Sequence, residues 1–505
     1  MRNLFLKNPA AAIRAFGKRK HEYWIRRGEV MALDLFRDMA ARVPAYKSFL
    51  KENKISAQKV RKFQDLKEIP TLSKNNYLRK YPLHELAWDG KINHQAWVIS
   101  ATSGSTGKPF YFLRQSEQDE QYAFTAEAYL LHNFLIDRRS TLYVNCFALG
   151  VWIGGLFTYE AITSIARKRN YSLSIISPGI NKEEILNAIK NLGDKFDQVI
   201  LGGYPPFIKD VVDEGMTSGI NWHKYRLGFI FSAEGFSESF RNYILRRTGT
   251  KDLYRSSLNH YGTVDLGTMA HETPLTILMR QLMLKKTELR SSFFGDTFKL
   301  PTLAQFLPEM FFFEEQDGGL LCSARSGLPL VRYDLKDNGG VRTFNEAKHL
   351  FAKYGVVLEK EAAQRGLKNS LWHLPFVFVY ERKDLSTTLY GLNIYPDSVR
   401  NVLQERVFES RITGKCVLLT KTDSRENQYL EIAIELKKKR VMPRGLASLM
   451  QQKIVEALRQ TNSEYRRLHD EMPARAIPRL TFLAYEDTRY FTPKGKHKWA
   501  IPLNN

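Results

Sequence analysis

Between residues 118 and 247 the chain alternates helix-like and strand-like segments without a break. No other feature constrains its fold so tightly. Helical spacing over 118–135 gives way to an apolar strand run at 141–147, a helix at 153–167 and a strand at 172–177. A helix at 182–192, a strand at 198–201, a helix at 207–214, a strand at 227–232 and a helix at 238–247 follow. Parallel neighbours need a crossover of this kind, so the pattern predicts an α/β fold with a mostly parallel sheet flanked by helices. Ligands of such sheets sit beyond the carboxyl ends of the strands, which is where polar residues matter most.

The pattern changes near residue 381. An apolar strand at 376–380 runs into the fully charged Glu381-Arg382-Lys383-Asp384, which is either a linker or an ordinary loop. Beyond it come strands at 388–395, 415–421, 429–436 and 479–484, with helices at 396–408 and 446–459. This describes a compact α+β unit of ordinary domain size. The expected organisation is a large body over 1–381 and a small unit over 382–505.

One stretch stands out before the alternation begins: Thr102-Ser103-Gly104-Ser105-Thr106-Gly107-Lys108-Pro109. Strands are expected on both sides, at 95–100 and 110–114. Backbone N–H groups, the hydroxyls of Ser103, Ser105 and Thr106, and the Lys108 ammonium together suit phosphate oxygens. The alternative is a Ser/Gly turn without a ligand. A Walker A loop is excluded. It needs four residues between its glycines and a helix after the lysine, whereas here there are two residues and then Pro109.

Lysine and arginine outnumber aspartate and glutamate by 76 to 53, giving a net charge of +23 and implying anionic partners. The basic residues are spread along the chain without a nucleic-acid module signature, so no specific nucleic acid is expected. Three cysteines without paired spacing fit a reducing, cytoplasmic setting and exclude a cysteine zinc site. The most apolar run, residues 146–157, is too short to span a bilayer and reads as a strand passing into a helix. Residues 1–27 carry eight bases and one acid among scattered apolar positions. That segment is either a first helix of the body or a peripheral membrane contact.

Four further stretches carry chemistry: Ser232-Ala233-Glu234-Gly235, Asn259-His260-Tyr261-Gly262-Thr263-Val264-Asp265, Leu330-Val331-Arg332-Tyr333-Asp334-Leu335-Lys336-Asp337, and Thr492-Pro493-Lys494-Gly495-Lys496-His497-Lys498-Trp499. In this order, together with the loop at 103–108, they resemble the adenylate-forming (acyl-CoA synthetase-like) superfamily. The branch they look most like is that of the phenylacetate–CoA ligases and their capsular-polysaccharide-associated relatives. Gly202-Gly203-Tyr204-Pro205-Pro206 and Gly391-Leu392-Asn393-Ile394-Tyr395-Pro396 also look like that branch.

The resemblance implies ATP-dependent activation of an aryl or fatty acid to acyl-AMP, then transfer to coenzyme A. Transfer to an acyl carrier protein or another nucleophile is the alternative, and a non-catalytic basic binding protein is the reading from a different class. The resemblance assigns the triphosphate to Ser103, Gly104, Ser105, Thr106, Gly107 and Lys108. It assigns AMP to Ala233, Glu234, Gly235, Tyr261, Gly262, Thr263, Asp337 and Arg382, with Tyr261 on the adenine and Asp337 on the ribose. It also assigns Mg²⁺ to Asp265, the hinge to Asp384 and the catalytic lysine to Lys496, with Lys494 and Lys498 as rivals. Three positions depart from the family pattern: Val264 stands where Thr or Ser is common, Asp265 where Glu is usual and Lys336 where Gly is common.

Overall fold

The computed structural model describes residues 8–102, 109–295, 300–382, 387–491 and 500–501. The chain divides into two compact units. The first comprises Met1–Ser100, Phe112–Gly203 and Val212–Glu381; the second comprises Ala101–Tyr111, Tyr204–Val211 and Arg382–Asn505.

Strands β1 (Val98–Ala101) and β2 (Tyr111–Arg114) form a hairpin whose neck is closed by Thr102 N–H donating to the Phe110 carbonyl at 3.0 Å. Then come β3 (Thr141–Asn145), β4 (Leu173–Ile176), β5 (Gln198–Gly203), β6 (Leu227–Phe231) and β7 (Ser257–Thr263), all parallel in the spatial order β4-β3-β5-β6-β7. Every residue of β3, β5 and β6 is buried, as helix-covered parallel strands must be. Helices Ile153–Arg169, Lys182–Leu192 and Glu238–Thr248 supply crossovers where the alternating pattern put them. Tyr143, Ile200, Ile230 and Leu258 of the sheet pack with Phe157, Ala161 and Ile165 of one helix and Tyr129 of another.

Beyond β7 the same sheet turns antiparallel. It continues through β8 (Gly267–His271), β9 (Thr302–Gln305), β10 (Phe311–Gln316), β11 (Gly319–Ala324), β12 (Leu330–Arg342) and β13 (Phe376–Arg382), giving eleven strands in the order β10-β11-β12-β13-β9-β8-β7-β6-β5-β3-β4. β7 is therefore the last parallel strand, and its carboxyl end lies at the change of direction.

The described part of the amino-terminal basic segment turns an apolar face into the first unit. In helix Pro9–Lys18, Ala12 and Phe16 are buried; Phe16 packs edge-on against Trp24 at 5.5 Å and also meets Trp372. These apolar residues are thus packed inside the first unit. No helix among the described residues is long and apolar enough to cross a membrane.

The second unit is built on β16 (Ile412–Thr422), β17 (Gln428–Leu436), β18 (Arg479–Leu483) and β19 (Ala500–Ile501), in the order β18-β17-β16-β19. Val417, Leu419, Ala433, Leu483 and Phe491 form its core. The expected single strand over 388–395 is instead the hairpin β14 (Thr387–Leu389) and β15 (Leu392–Ile394). Its two turn residues, Tyr390 and Gly391, sit at φ +50° and +79°, the geometry of a tight primed turn. Tyr390 accepts that conformation because its N–H donates to Gln428 Oε1 at 2.6 Å and its hydroxyl to Asp210 at 2.8 Å.

Candidate functional site

β7 and β12 are separated in the sheet by three strands, yet their motifs meet. The Tyr261 hydroxyl, at the end of β7, donates to Asp337 Oδ2 of β12 at 2.6 Å. In return the Tyr333 hydroxyl of β12 donates to Asp265 Oδ2, just past β7, also at 2.6 Å. Each motif thus supplies one tyrosine and one carboxylate, and each tyrosine serves the other motif's carboxylate. All four residues are buried. Hydrogen bonds to an ionised acceptor at this length are the strong kind, and burial strengthens them further.

The local backbone explains how β12 aims these groups. Arg332 and Lys336 both adopt left-handed conformations, at φ +47° and +63°. The pairing with β11 slips beside each: Cys322 faces Tyr333 and Ala324 faces Leu330, while Leu321 faces Asp334 and Gly319 faces Asn338. Extra residues on one strand bend it and redirect its side chains. Lys336 stands at a position whose φ favours glycine. Its strain is met locally, because its N–H donates to Asp334 Oδ1 at 2.9 Å and its ammonium to Oδ2 at 2.6 Å.

Gly262 has a packing reason. A Cβ there would lie 2.6 Å from the Gly267 carbonyl oxygen across the β7–β8 pair. Thr263 turns its Oγ1 back to accept from Leu266 N–H at 3.3 Å, so the hydroxyl belongs to the turn that presents Asp265. The Tyr261 ring stacks on Phe313 at 5.9 Å with 29° between the planes, which fixes one face of it.

The loop after β6 carries Ala233 at φ +77°, with Ala233 and Gly235 exposed. Asn259 Nδ2 donates to the Glu234 carbonyl at 3.0 Å and Arg280 Nη2 to the Phe236 carbonyl at 2.8 Å, so the loop is held from beneath. Under it lies a charge-balanced buried network that sequence reasoning missed. Arg241 binds Glu238 at 2.9 Å and both oxygens of Glu272 at 2.8 Å, while Arg280 binds Glu238 at 2.7 Å. Burial pushes the Glu238 carboxyl up, but the two guanidinium groups overcome it and leave it well below the usual carboxylate range. Glu272 also accepts from Asn259 N–H at 2.9 Å, which ties the network to β7.

A second residue escaped the sequence. Lys74 places its ammonium 3.4 Å from Asp265 Oδ1. That buried oxygen makes no hydrogen bond among the described residues. The preceding residue but one, Leu72, bridges in parallel to Tyr333: Leu72 N–H donates to the Arg332 carbonyl at 3.2 Å and Asp334 N–H to the Leu72 carbonyl at 2.8 Å. Lys74 then opens a π-turn, Lys74–Leu78, whose start is fixed by reciprocal bonds between Ser73 and Asn76. The only hint in sequence was a capping-box spacing, Ser73 to Asn76.

Asp265 offers one buried carboxylate to a cation; among the described residues no group of three or more His, Cys, Asp or Glu could hold a metal ion. This suits Mg²⁺, which keeps its waters and typically takes one or two carboxylates plus substrate phosphates. The hydrogen-bond-free Oδ1 is the oxygen that fits. Ser103, Gly104, Ser105, Thr106, Gly107, Lys108, Asp384 and Lys496 lie outside the described residues, and Arg382 is the last residue of β13.

No family model and no curated protein matches the chain. Solved structures do. A 2-hydroxyisobutyryl-CoA ligase in complex with 2-HIB-AMP and CoA, in the thioesterification state, superposes with a TM-score of 0.62 at 13% identity, over 98% of this chain and 93% of that one. The same kind of ligase in the postadenylation state, with R3-HIB-AMP, gives 0.54 at 11% identity, over 97% and 91%. At such identities the likeness is one of architecture: this chain has the fold of an adenylate-forming ligase.

Proposed function

We propose that the protein joins a carboxylic acid to AMP and then passes the acyl group to a thiol, with coenzyme A as acceptor. The observation that carries this reading is the crossed Tyr261–Asp337 and Tyr333–Asp265 pair at the carboxyl end of the last parallel strand. A loop with Ala233 and Gly235 exposed, tied to β7 through Asn259, can approach a flat ligand closely. Such an arrangement offers an aromatic ring, a buried acceptor for ribose hydroxyls and a second carboxylate for charge balance. The comparison ligase binds an acyl-AMP and CoA, which supports the same chemistry here.

In the first step a carboxylate oxygen bonds to the α-phosphorus of ATP and the bond to the bridging oxygen breaks, releasing pyrophosphate. Asp337 accepts from the ribose hydroxyls, and its link to Tyr261 keeps it oriented. Asp265 would hold Mg²⁺, which offsets charge on the departing pyrophosphate. Lys74 faces the same carboxylate and adds a fixed positive charge nearby. By resemblance, residues 103–108 hold the β- and γ-phosphates and Lys496 stabilises charge that peaks in the transition state. In the second step a thiol sulfur bonds to the acyl carbon, AMP leaves, and the thiol proton passes to solvent. Residues 382–505 would act as a mobile unit hinged at Asp384, withdrawing Lys496 between steps. Aryl and fatty acids of the phenylacetate–CoA ligase branch are the proposed substrates.

Carboxylate-dependent ATP–pyrophosphate exchange over a panel of aryl and fatty acids tests the first step. Silence across the panel refutes the reading. A thioester on free coenzyme A, seen by mass spectrometry, separates coenzyme A from a carrier protein as the acceptor.

A further inference from the structure

Arg332 belongs to the β12 motif but its side chain bonds to other residues than the crossed pair, and nothing in the proposed chemistry uses it. Its side chain is nevertheless among the most heavily engaged in the first unit. One terminal nitrogen donates to the carbonyls of Lys67 at 2.5 Å and Ile69 at 2.6 Å, and reaches that of Leu66 at 3.5 Å. The other terminal nitrogen donates to Gln316 Oε1 at 3.0 Å, and Glu314 lies 3.3 Å from the Nε. Its backbone is equally committed: the carbonyl takes Leu72 N–H, and the N–H donates to Ser323 Oγ at 2.9 Å. It holds a left-handed φ of +47°, a conformation that costs a non-glycine residue energy and persists where surrounding contacts over-determine it.

These contacts share one target. Leu66, Lys67, Ile69 and Leu72 lie in the segment that delivers Lys74 to Asp265. Helix Phe63–Lys67 ends with its last carbonyls aimed at the guanidinium, and the extended residues after it dock on the edge of β12. Only a planar, forked cation can span three carbonyls on one side and a carboxylate on the other; an ammonium is a point charge.

We propose that Arg332 is a positioning residue whose guanidinium straps residues 66–72 to β12 and so sets the Lys74 ammonium against Asp265. The functional half of this rests on the adenylation reading; the structural half does not.

The test uses the full chain and three variants, Arg332→Lys, Lys74→Met and their combination, with Met283→Ala in the distant core as a control for lost stability. Hydrogen exchange of the peptide spanning 66–78 reads the strap directly. Arg332→Lys is expected to raise exchange there by about tenfold or more, with Met283→Ala leaving that peptide protected. Unchanged protection in Arg332→Lys overturns the proposal.

Pyrophosphate exchange reads the consequence. A small misplacement of a group at a reacting centre costs on the order of 100-fold, so Arg332→Lys and Lys74→Met should each lower kcat strongly. The double variant should be no worse than the poorer single one. Effects that multiply show that Arg332 acts apart from Lys74 and overturn the positioning role. If the unmodified protein shows no exchange with any acid, the adenylation reading falls, and hydrogen exchange alone then decides for or against the strap.

Discussion

Removing one oxygen atom from Tyr333 tests the crossed pair with little other disturbance. In Tyr333→Phe the ring still fills its site, which is only 1% exposed, but Asp265 Oδ2 loses its donor at 2.6 Å. A hydrogen bond to a charged group contributes about 1.5–3 kcal/mol, and a buried acceptor left short loses that without help from water. Among the described residues the other carboxylate oxygen has only the Lys74 ammonium at 3.4 Å, so the upper half of the range, about 2–3 kcal/mol, applies. Urea unfolding of the wild type, Tyr333→Phe, Asp265→Asn and the double variant measures the cost and its origin. Residues joined directly should show a coupling of about 1–2 kcal/mol, within the range known for contacting pairs. The adenylation reading adds a second readout, because a misaimed Asp265 should lower the rate of pyrophosphate exchange. Costs that add to within about 0.5 kcal/mol would refute the claim that these two side chains hold each other.

Other outcomes follow from the same structure. Gly262→Ala should destabilise the first unit by about 1–3 kcal/mol in urea, because backbone atoms and not a flexible side chain meet the new methyl group. Burial lowers the imidazoles of His132 and His271 to about 4 and that of His260 to about 3, so these rings resist protonation in the fold while the unfolded chain takes protons below about 6.5. Their contribution is therefore whole above pH 6.5 and drains away as pH falls toward 4; the unfolding free energy from urea curves should drop by about 2 kcal/mol per ring between pH 7 and pH 5. A flat profile over that window would contradict their burial. Lys496→Ala should slow pyrophosphate exchange by about 100-fold or more, with Lys494→Ala and Lys498→Ala changing it far less; equal losses in all three would reject the assignment to Lys496.

What the sequence disclosed follows the range of the interactions involved. The parallel half of the sheet was legible because its strands and crossover helices carry their own periodicities, as in Leu227–Phe231 followed by Glu238–Thr248. The antiparallel half was less so, since the partners of β11 and β13 are fixed by pairing and not by local pattern. The hairpin at Tyr390-Gly391 was hidden for a different reason: a tyrosine at positive φ is allowed by bonds to Gln428 and Asp210 that lie far off in the chain. The two motifs at 259–265 and 330–337 could each be read, but nothing local in either reveals that their tyrosines exchange partners. Lys74 was hidden most deeply, because its place depends on Leu72 docking on Tyr333. The lysine at 336, a departure when seen as letters, is a residue kept in a glycine-like conformation by its neighbour Asp334.

The exchange of tyrosines also limits how this protein can change. Because each carboxylate takes a hydrogen bond from the other stretch's tyrosine, swapping either stretch alone for that of a cousin costs a buried acid in the other its donor. Drift in one must wait for, or travel with, drift in the second. Anyone grafting new specificity onto this scaffold should transplant residues 259–265 and 330–337 together as a single cassette.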